Sequence, residues 1–378
     1  MLPNLTNTKK NTVRQFDREY RPRSISEYLG NDQVKFNLQS LSKADNLPQL
    51  ILFVGDPGTG KTSFARLLSK HVQCRNKVDG NPCGECAICK EIDEKFIQQG
   101  IPVKGVREFN MSDKTTKSDA AELIAAIRQK PLPPYKKMVI IVDELHRMQP
   151  TAQDSLLKDL EDIPPHVQLF FCTTDPEMLR PALVSRCTQY RIRKPSVEEL
   201  LSRLEFICKD KEIPYDPQAL RLIIRHRNKV PRDSIKALQR VADAGPVTVQ
   251  ATIEALDIVT EEVYIDFFET LDKDIVDIMQ YIEGIEERGI DYSSFLMGLL
   301  RFIMDGIDMM YNIKIDTYLD ETHKKCKKIF QKYDYLGLVD LLSKATEATK
   351  NVTTSVQAEA LIKIFALQIS KHAIEKRQ

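Results

Sequence analysis

The stretch Gly55-Asp56-Pro57-Gly58-Thr59-Gly60-Lys61-Thr62 constrains this chain more than any other feature. It fits G-x-x-x-x-G-K-[ST], follows the apolar run Gln49–Val54 and precedes a helical period at Phe64, Leu67, Leu68 and Val72. Between a buried strand and a helix, glycines at 55, 58 and 60 let the backbone curl with its N–H groups inward. The N-terminus of the following helix adds partial positive charge. Residues Gly55 to Ser63 are therefore candidate ligands of a triphosphate such as ATP, with Lys61 reaching the β- and γ-phosphates and Thr62 ligating magnesium. A glycine-rich turn that binds nothing is the alternative, and the strand and helix on either side disfavour it.

A carboxylate is needed at the end of a neighbouring strand, and Asp143 follows the apolar run Met138–Val142. Its expected task is to hold hydrated magnesium. Glu144 is placed to polarise the attacking water, which separates an ATPase from a protein that only binds nucleotide. A third apolar run, Val167–Cys172, and the helical period at Leu123, Ile124 and Ile127 complete an α/β pattern. The simplest fold is a parallel sheet covered by helices on both faces.

After Pro195 the strand signals stop. Helices are expected at Val197–Asp210, Pro217–Arg227 and Asp233–Ala244, and after the break at Ala244-Gly245-Pro246 at Phe295–Met310, Tyr335–Thr349 and Ser355–Ile374. The expected organisation is a flexible arm over 1–16, a nucleotide-binding α/β domain over 17–194, a small helical domain over 195–257 and a second helical domain over 258–378. With 55 Lys+Arg against 54 Asp+Glu, net charge argues for neither nucleic acid nor membrane. The apolar stretch Phe295–Met304 is too short to span a bilayer and contains Arg301. The polar N-terminus lacks the apolar core of a signal peptide, so a cytoplasmic location is expected.

Four of the eight cysteines fall in the pattern Cys74-x8-Cys83-x2-Cys86-x2-Cys89, with Gly80-Asn81-Pro82 and Gly84 allowing tight turns. Four soft ligands with no open position favour structural zinc. An iron–sulfur cluster is the main competitor, but the bacterial run places a further cysteine where Asp93 stands. Cys172, Cys187, Cys208 and Cys326 lie in apolar or helical segments and read as small hydrophobes.

Further motifs bring in a family. Asp143-Glu144-Leu145-His146, Thr173-Thr174-Asp175-Pro176 and Ser185-Arg186-Cys187 closely resemble bacterial clamp-loader ATPase subunits, the gamma/tau subunits of DNA polymerase III within the AAA+ superfamily. Tyr20-Arg21-Pro22, Leu29-Gly30-Asn31-Asp32, Ser155–Glu161 and the cysteine spacing extend the likeness over about residues 17–245. The resemblance implies a AAA+ P-loop domain with a zinc-binding insertion, a helical lid and a helical collar for oligomerisation. It further implies that Thr174 senses the γ-phosphate and that Arg186 enters a neighbouring subunit's ATP site. Arg232 would be the second sensor on the lid, and the Leu29-Gly30 backbone would lie against adenine. At Arg232 the sequence departs from the family: Asn228-Lys229-Val230-Pro231 replaces the usual glycine-containing approach. Proline is acceptable in a helix's first turn.

The partners implied are a sliding clamp, primer-template DNA bound without sequence preference, and other loader subunits in a pentamer. Arg107, Lys114 and Lys117 lie in a region resembling the part of relatives that lines the DNA chamber, though from the residues alone a solvated loop is the better reading. The end at Gln378, soon after the collar, implies the shorter gamma-like form. Three alternatives remain open. Asp143-Glu144-Leu145-His146 also fits the D-E-x-H box of helicases, which need a second RecA-like domain. Another AAA+ DNA-remodelling motor shares the motifs. A non-hydrolysing structural subunit commonly loses the lysine or threonine that Lys61 and Thr62 retain.

Overall fold

Strands β1 (Leu50–Val54), β2 (Val106–Asn110), β3 (Met138–Asp143), β4 (Val167–Thr173) and β5 (Thr188–Arg191) pair in parallel, in the order β2-β3-β4-β1-β5. The computed structural model describes residues 15–112, 117–313, 320–350 and 355–370. Alternation along the central strands sorts their side chains between two cores. Ile51, Phe53, Val139 and Ile141 join one cluster, while Leu50, Leu52, Ile140 and Val142 join the other. A sheet buried on both faces explains why these strands read as continuous apolar runs.

Helices α1 (Phe16–Glu19) and α2 (Asp32–Lys43) precede the sheet, and α3 (Lys61–Gln73) follows β1 directly. Phe64, Leu67 and Leu68 of α3 are fully buried beneath one face. The cysteine segment leads into α4 (Ala87–Glu91), which continues as a π-helical stretch over Ile92–Gln98. Helices α5 (Lys117–Arg128), α6 (Pro150–Glu161) and α7 (Pro181–Arg186) cover the other face, carrying Leu123, Leu156 and Leu183 into its core. Helices α8 (Val197–Asp210), α9 (Pro217–His226) and α10 (Pro231–Ala242) then form a helical group. The N-terminus of α8 is fixed by a reciprocal capping box between Ser196 and Glu199.

The chain divides into two compact units between Asp243 and Ala244. In the second, α11 (Val249–Leu256), α12 (Glu261–Thr270), α13 (Ile275–Glu287), α14 (Tyr292–Met310), α15 (Asp320–Phe330), α16 (Tyr335–Lys350) and α17 (Ser355–Ile369) contain all the described regular structure. Phe267, Phe268, Phe295, Phe302 and Phe330 stack in its centre at centroid separations of 5.4–5.9 Å. No helix among the described residues is long and apolar enough to cross a membrane.

Several elements differ from the sequence reading. Strands β2 and β5 carry too few consecutive apolar residues to announce themselves: β2 is Val106-Arg107-Glu108-Phe109-Asn110 with only Val106 and Phe109 buried. Arg107 consequently lies in a strand, opposite Ile140, and not in a loop. Lys114 lies outside the described residues, and Lys117 begins α5. Of the expected N-terminal arm, residues 1–14 are outside the described residues, whereas Phe16 opens α1 and its N–H donates to Gln239 of α10 at 2.8 Å. The last helix is described only to Ile369, short of the expected Ile374.

Gly306 of α14 marks close helix packing in the second unit, since a Cβ there would lie 2.1 Å from the buried Phe330 ring. Gly→Ala in a helix gains about 1 kcal/mol of propensity, but overpacking a filled core costs about 1–3 kcal/mol, and a ring enclosed by other aromatics has little room to retreat. Gly306→Ala is therefore expected to lower the unfolding midpoint of this unit in a denaturant titration, against the direction of helix propensity.

Candidate nucleotide site and cysteine cluster

The turn between β1 and α3 closes because three glycines lack side chains. A Cβ at Gly55 would lie 2.2 Å from the Ile192 carbonyl oxygen, one at Gly58 2.5 Å from Val230, and one at Gly60 2.8 Å from the Tyr28 hydroxyl. Gly58 and Gly60 also take positive φ values of +72° and +96°. The Tyr28 hydroxyl donates to the Thr59 carbonyl at 2.7 Å, pinning the loop from the side. The Lys61 ammonium lies inside the turn, donating to the carbonyls of Gly55 at 2.8 Å and Asp56 at 3.0 Å. Burial pulls its pKa below the ordinary lysine value.

The loop opens on a cleft of about 380 Å³. Gly58, Thr59, Gly60, Lys61, Thr62 and Ser63 line its floor, Asp143 and Glu144 one end, Leu29 a wall, and Arg232 the lid side. The Thr62 hydroxyl donates to Asp143 Oδ2 at 2.7 Å, so the two candidate magnesium ligands already touch. Asp143 is the last residue of β3, and its Oδ1 accepts the Glu144 N–H at 3.1 Å. Glu144 takes a left-handed backbone conformation at φ +53°, turning the chain sharply into a short 3-10 turn. Burial raises the Asp143 pKa, with the nearby Glu144 and Glu108 carboxylates adding to the effect and the Thr62 hydrogen bond opposing it. A hydroxyl and a carboxylate in contact beside a phosphate loop are hard oxygen donors of the kind magnesium takes.

Gly55, Asp56 and Thr174 line a second cavity with Asp175 and Lys194. Pro57 is exposed and lines neither. Gly30 packs against Pro195 and Glu199 at the start of α8, while Asn31 exchanges two side-chain hydrogen bonds with the Arg193 backbone at 2.8 and 3.0 Å. The Leu29-Gly30-Asn31 stretch is thus clamped to the crossing into the lid. Arg232 stands in the first turn of α10 after Pro231, largely exposed, with Nε 3.5 Å from Asp17 Oδ2. Arg186 ends α7 away from both cavities, held by an ion pair with Glu161 and a 2.7 Å hydrogen bond to the Ala182 carbonyl.

Other cleft residues had no site role in the sequence reading, where Tyr20 and Arg21 entered only as part of a motif. Asp17, Tyr20, Arg21, Tyr28, Arg66, Glu108 and Arg203 also line the cleft. Arg66 grips Glu108 with two hydrogen bonds, of 2.7 and 2.6 Å. The available signal was that Arg66 stands four residues after Thr62 and so shares its helix face. Glu108 was invisible because its strand was not recognised.

The sulfurs of Cys74, Cys83, Cys86 and Cys89 all lie within 4.8 Å of one another. Cys74 and Cys83 are 3.6 Å apart, Cys83 and Cys89 3.9 Å. Tetrahedral zinc at its usual sulfur distance places thiolates about 3.8 Å apart, so the donor set fits zinc. The Cys86 and Glu85 N–H groups face Cys83 and pull its pKa down to about 6, toward the thiolate a metal needs. Asp93, where an iron–sulfur run would place cysteine, is instead bound through both oxygens to Lys70 at 2.7 Å. The thiols of Cys172, Cys208 and Cys326 are buried elsewhere, and Cys187 is half-buried.

A five-stranded parallel sheet in this order, with a phosphate loop after β1, acids at the end of β3 and a helical lid carrying an arginine, defines a P-loop NTPase domain of the AAA+ type. A family described as "DNA polymerase III, delta subunit" matches residues 30–196. The DNA polymerase III subunit tau of Salmonella typhimurium is 29% identical over 290 residues, 76% of this chain and 44% of that protein. The DNA polymerase III subunit gamma of Buchnera aphidicola subsp. Acyrthosiphon pisum is 26% identical over 289 residues, 76% of this chain and 78% of that protein. The Thermotoga maritima RuvB Holliday junction branch migration motor superposes with a TM-score of 0.46 at 17% identity, covering 72% of this chain and 86% of that one. The chain is similar to DNA polymerase III gamma and tau subunits over about three quarters of its length. It spans about half the length, or less, of the tau relatives it matches.

The raised pKa of Asp143 gives a signed expectation. Its folded-state pKa exceeds the unfolded one, so the folded state binds the proton more tightly, and stability falls as pH rises from the ordinary carboxylate range through the folded value. Once ionised, the group is therefore a net cost to the fold. Asp143→Asn, compared with the parent without magnesium or nucleotide, is expected to melt at a higher temperature at alkaline pH, with the gap shrinking as the pH is lowered toward the ordinary carboxylate range.

Proposed function

We propose that this chain is an ATP-hydrolysing AAA+ subunit of a DNA sliding-clamp loader. The observation that carries the hydrolytic reading is the Thr62–Asp143 contact, made in one cleft with Lys61 and Glu144. Such a set holds a metal-bound triphosphate and places a base beside it; a subunit that only scaffolds has no need of Glu144. Lys61 and the amides of Gly58 to Ser63 bind the phosphates, with Gly55, Asp56 and Pro57 shaping the loop. Thr62 and Asp143 hold magnesium, which when bound screens the triphosphate and polarises its γ-phosphoryl group. Glu144 takes a proton from the attacking water at its carboxylate, while Leu29 and Gly30 face the base.

Thr174 is assigned to the γ-phosphate from the second cavity and Arg232 to the phosphates from the lid. For Arg232 this requires release of its contact with Asp17. Arg186 is assigned to a neighbouring subunit's site, which suits its place outside its own cleft. Such a residue is typically worth about 10³–10⁵ in rate, so hydrolysis depends on assembly. ATP binding would draw the subunits of a pentamer onto clamp and primer-template DNA, and hydrolysis would release the loaded clamp. On this reading residues 17–194 are the motor domain, 195–257 its lid and 258–378 the collar, in a cytoplasmic complex. A helicase is disfavoured because, among the described residues, no strand follows Arg191 to build a second RecA-like domain.

With the sliding clamp, primed DNA and partner subunits present, Glu144→Gln is expected to bind MgATP with parental affinity but turn it over at least about 100-fold more slowly, the usual span of a lost general base. Lys61→Ala should lose binding as well. Equal turnover by Glu144→Gln and the parent would remove the assignment. Metal analysis of the chain purified under reducing conditions is expected to give about one zinc per chain, and Cys89→Ser, with one ligand gone, a substoichiometric amount.

A further inference from the structure

His146 stands two residues after Glu144, in the short 3-10 turn Leu145–Arg147. Its side chain is only 12% exposed. The ring is held between two groups: Nε2 lies 3.5 Å from Glu144 Oε2, and Nδ1 lies 3.2 Å from the Thr173 hydroxyl. Thr173 is the fully buried last residue of β4, next to Thr174, and its carbonyl accepts the Gly55 N–H at 3.3 Å. One imidazole thus spans from the acid at the end of β3 to the strand end that supports the phosphate loop.

Hydrogen-bond accounting calls for a proton on Nε2. A carboxylate only accepts, so a bare Nε2 facing Glu144 would be repelled, whereas Nε2–H is attracted. At Nδ1 the ring meets the Thr173 hydroxyl, whose single proton has two acceptors in reach, Nδ1 at 3.2 Å and the Asp175 carbonyl at 3.1 Å. That hydroxyl also accepts the Asp175 N–H at 3.1 Å, so β4, the ring and the acid form one connected chain. The opposite neutral tautomer satisfies Thr173 but leaves Glu144 facing a lone pair.

We propose that His146 is a positioning residue for hydrolysis: its Nε2–H holds the Glu144 carboxylate in the orientation that meets the attacking water, and its Nδ1 ties that orientation to the end of β4 beside Thr174. The inference rests on the reading of Glu144 as the water-activating base. It adds that movement of the β4 end, where Thr174 is placed to feel the γ-phosphate, is carried to the base through one ring. Glu144 alone, on a backbone turn with an extended side chain, has several rotamers open to it. A donor fixed at its carboxylate removes that freedom, as outer partners do for ligating and catalytic groups, whose loss typically costs about 10–100-fold.

Two measurements on the full chain test this. In a sample labelled with ¹⁵N-histidine, long-range ¹H–¹⁵N correlations report ring protonation, and the His146 signal is the one lost in His146→Gln. A proton on Nε2 is expected, and a bare Nε2 overturns the proposal; no turnover is needed for this measurement. In ATPase assays with the clamp, primed DNA and partner subunits, His146→Ala is expected to lower kcat by about 10–100-fold with KM for MgATP little changed. His146→Gln, whose amide nitrogen reaches the Nε2 position, should recover part of the rate, and the shorter His146→Asn should not. In a Glu144→Gln background His146→Ala should cost nothing further. An unchanged kcat in His146→Ala, or the same fold-loss with and without Glu144, would show that the ring does not act through the base. A parent chain with no turnover would sink the ATPase reading instead, and the protonation measurement would still decide the contact.

Discussion

Everything at the cleft depends on a backbone turn that closes only where side chains are missing. The atoms that crowd the three glycines come from three separate parts of the first unit: Ile192 after β5, Val230 before α10, and Tyr28 ahead of α2. The loop is therefore the place where the sheet, the lid and the N-terminal stretch converge. A methyl group at Gly55 would meet a main-chain carbonyl, which cannot move aside as a flexible side chain can. Curled in this way, the loop exposes its amide groups toward the cleft and delivers Lys61 and Thr62 to the start of α3.

The charges around the turn then have little freedom. Lys61 is surrounded by carbonyl oxygens and faces Asp143 and Glu144 across the cleft, which offset part of the cost of burying its ammonium. At Asp143, burial and the neighbouring acids favour the proton, so ionising it there works against its surroundings. A cation bound between Thr62 and Asp143 would relieve that tension, since added positive charge reverses the local pKa balance. Stability and ligand binding are thereby set against one another in the same few side chains, as is common where a site is preorganised for a charge.

The sequence made the centre of the site legible and its rim obscure, for identifiable reasons. The phosphate loop, Asp143 and Glu144 stand next to long apolar runs that belong to strands buried on both faces, and such strands are hard to misread. The four cysteines were legible because metal-ligand spacing is a short-range property, and their sulfurs do converge. Strand β2 was lost because it lies at the sheet's edge, pairing with β3 alone, where the consecutive residues Arg107 and Glu108 remain half-buried on opposite faces. With it went Glu108, the partner of Arg66. Asp17 was hidden in the other direction: a polar residue in a polar stretch gives no sign that its side chain will be 4% exposed at the lid.

The approach to Arg232 turns the chain with residues other than glycine in positions that favour it. Asn228 and Lys229 both adopt left-handed conformations, at φ +51° and +57°, which glycine would take without strain. Asparagine tolerates this region better than most residues, whereas lysine does so only at some cost. The cost is offset locally: the Lys229 N–H caps α9 by donating to the Ile224 carbonyl at 2.9 Å, and Pro231 starts α10 with its φ already set. Val230, between them, fills the space above Gly58. The segment thus turns the chain from α9 into α10 and points Arg232 at the cleft, and it adds an apolar contact by which the lid rests directly on the phosphate loop. Glycines at 228 and 229 would have made the turn easier, whereas a glycine at 230, where the backbone is extended, would only have left the loop uncovered.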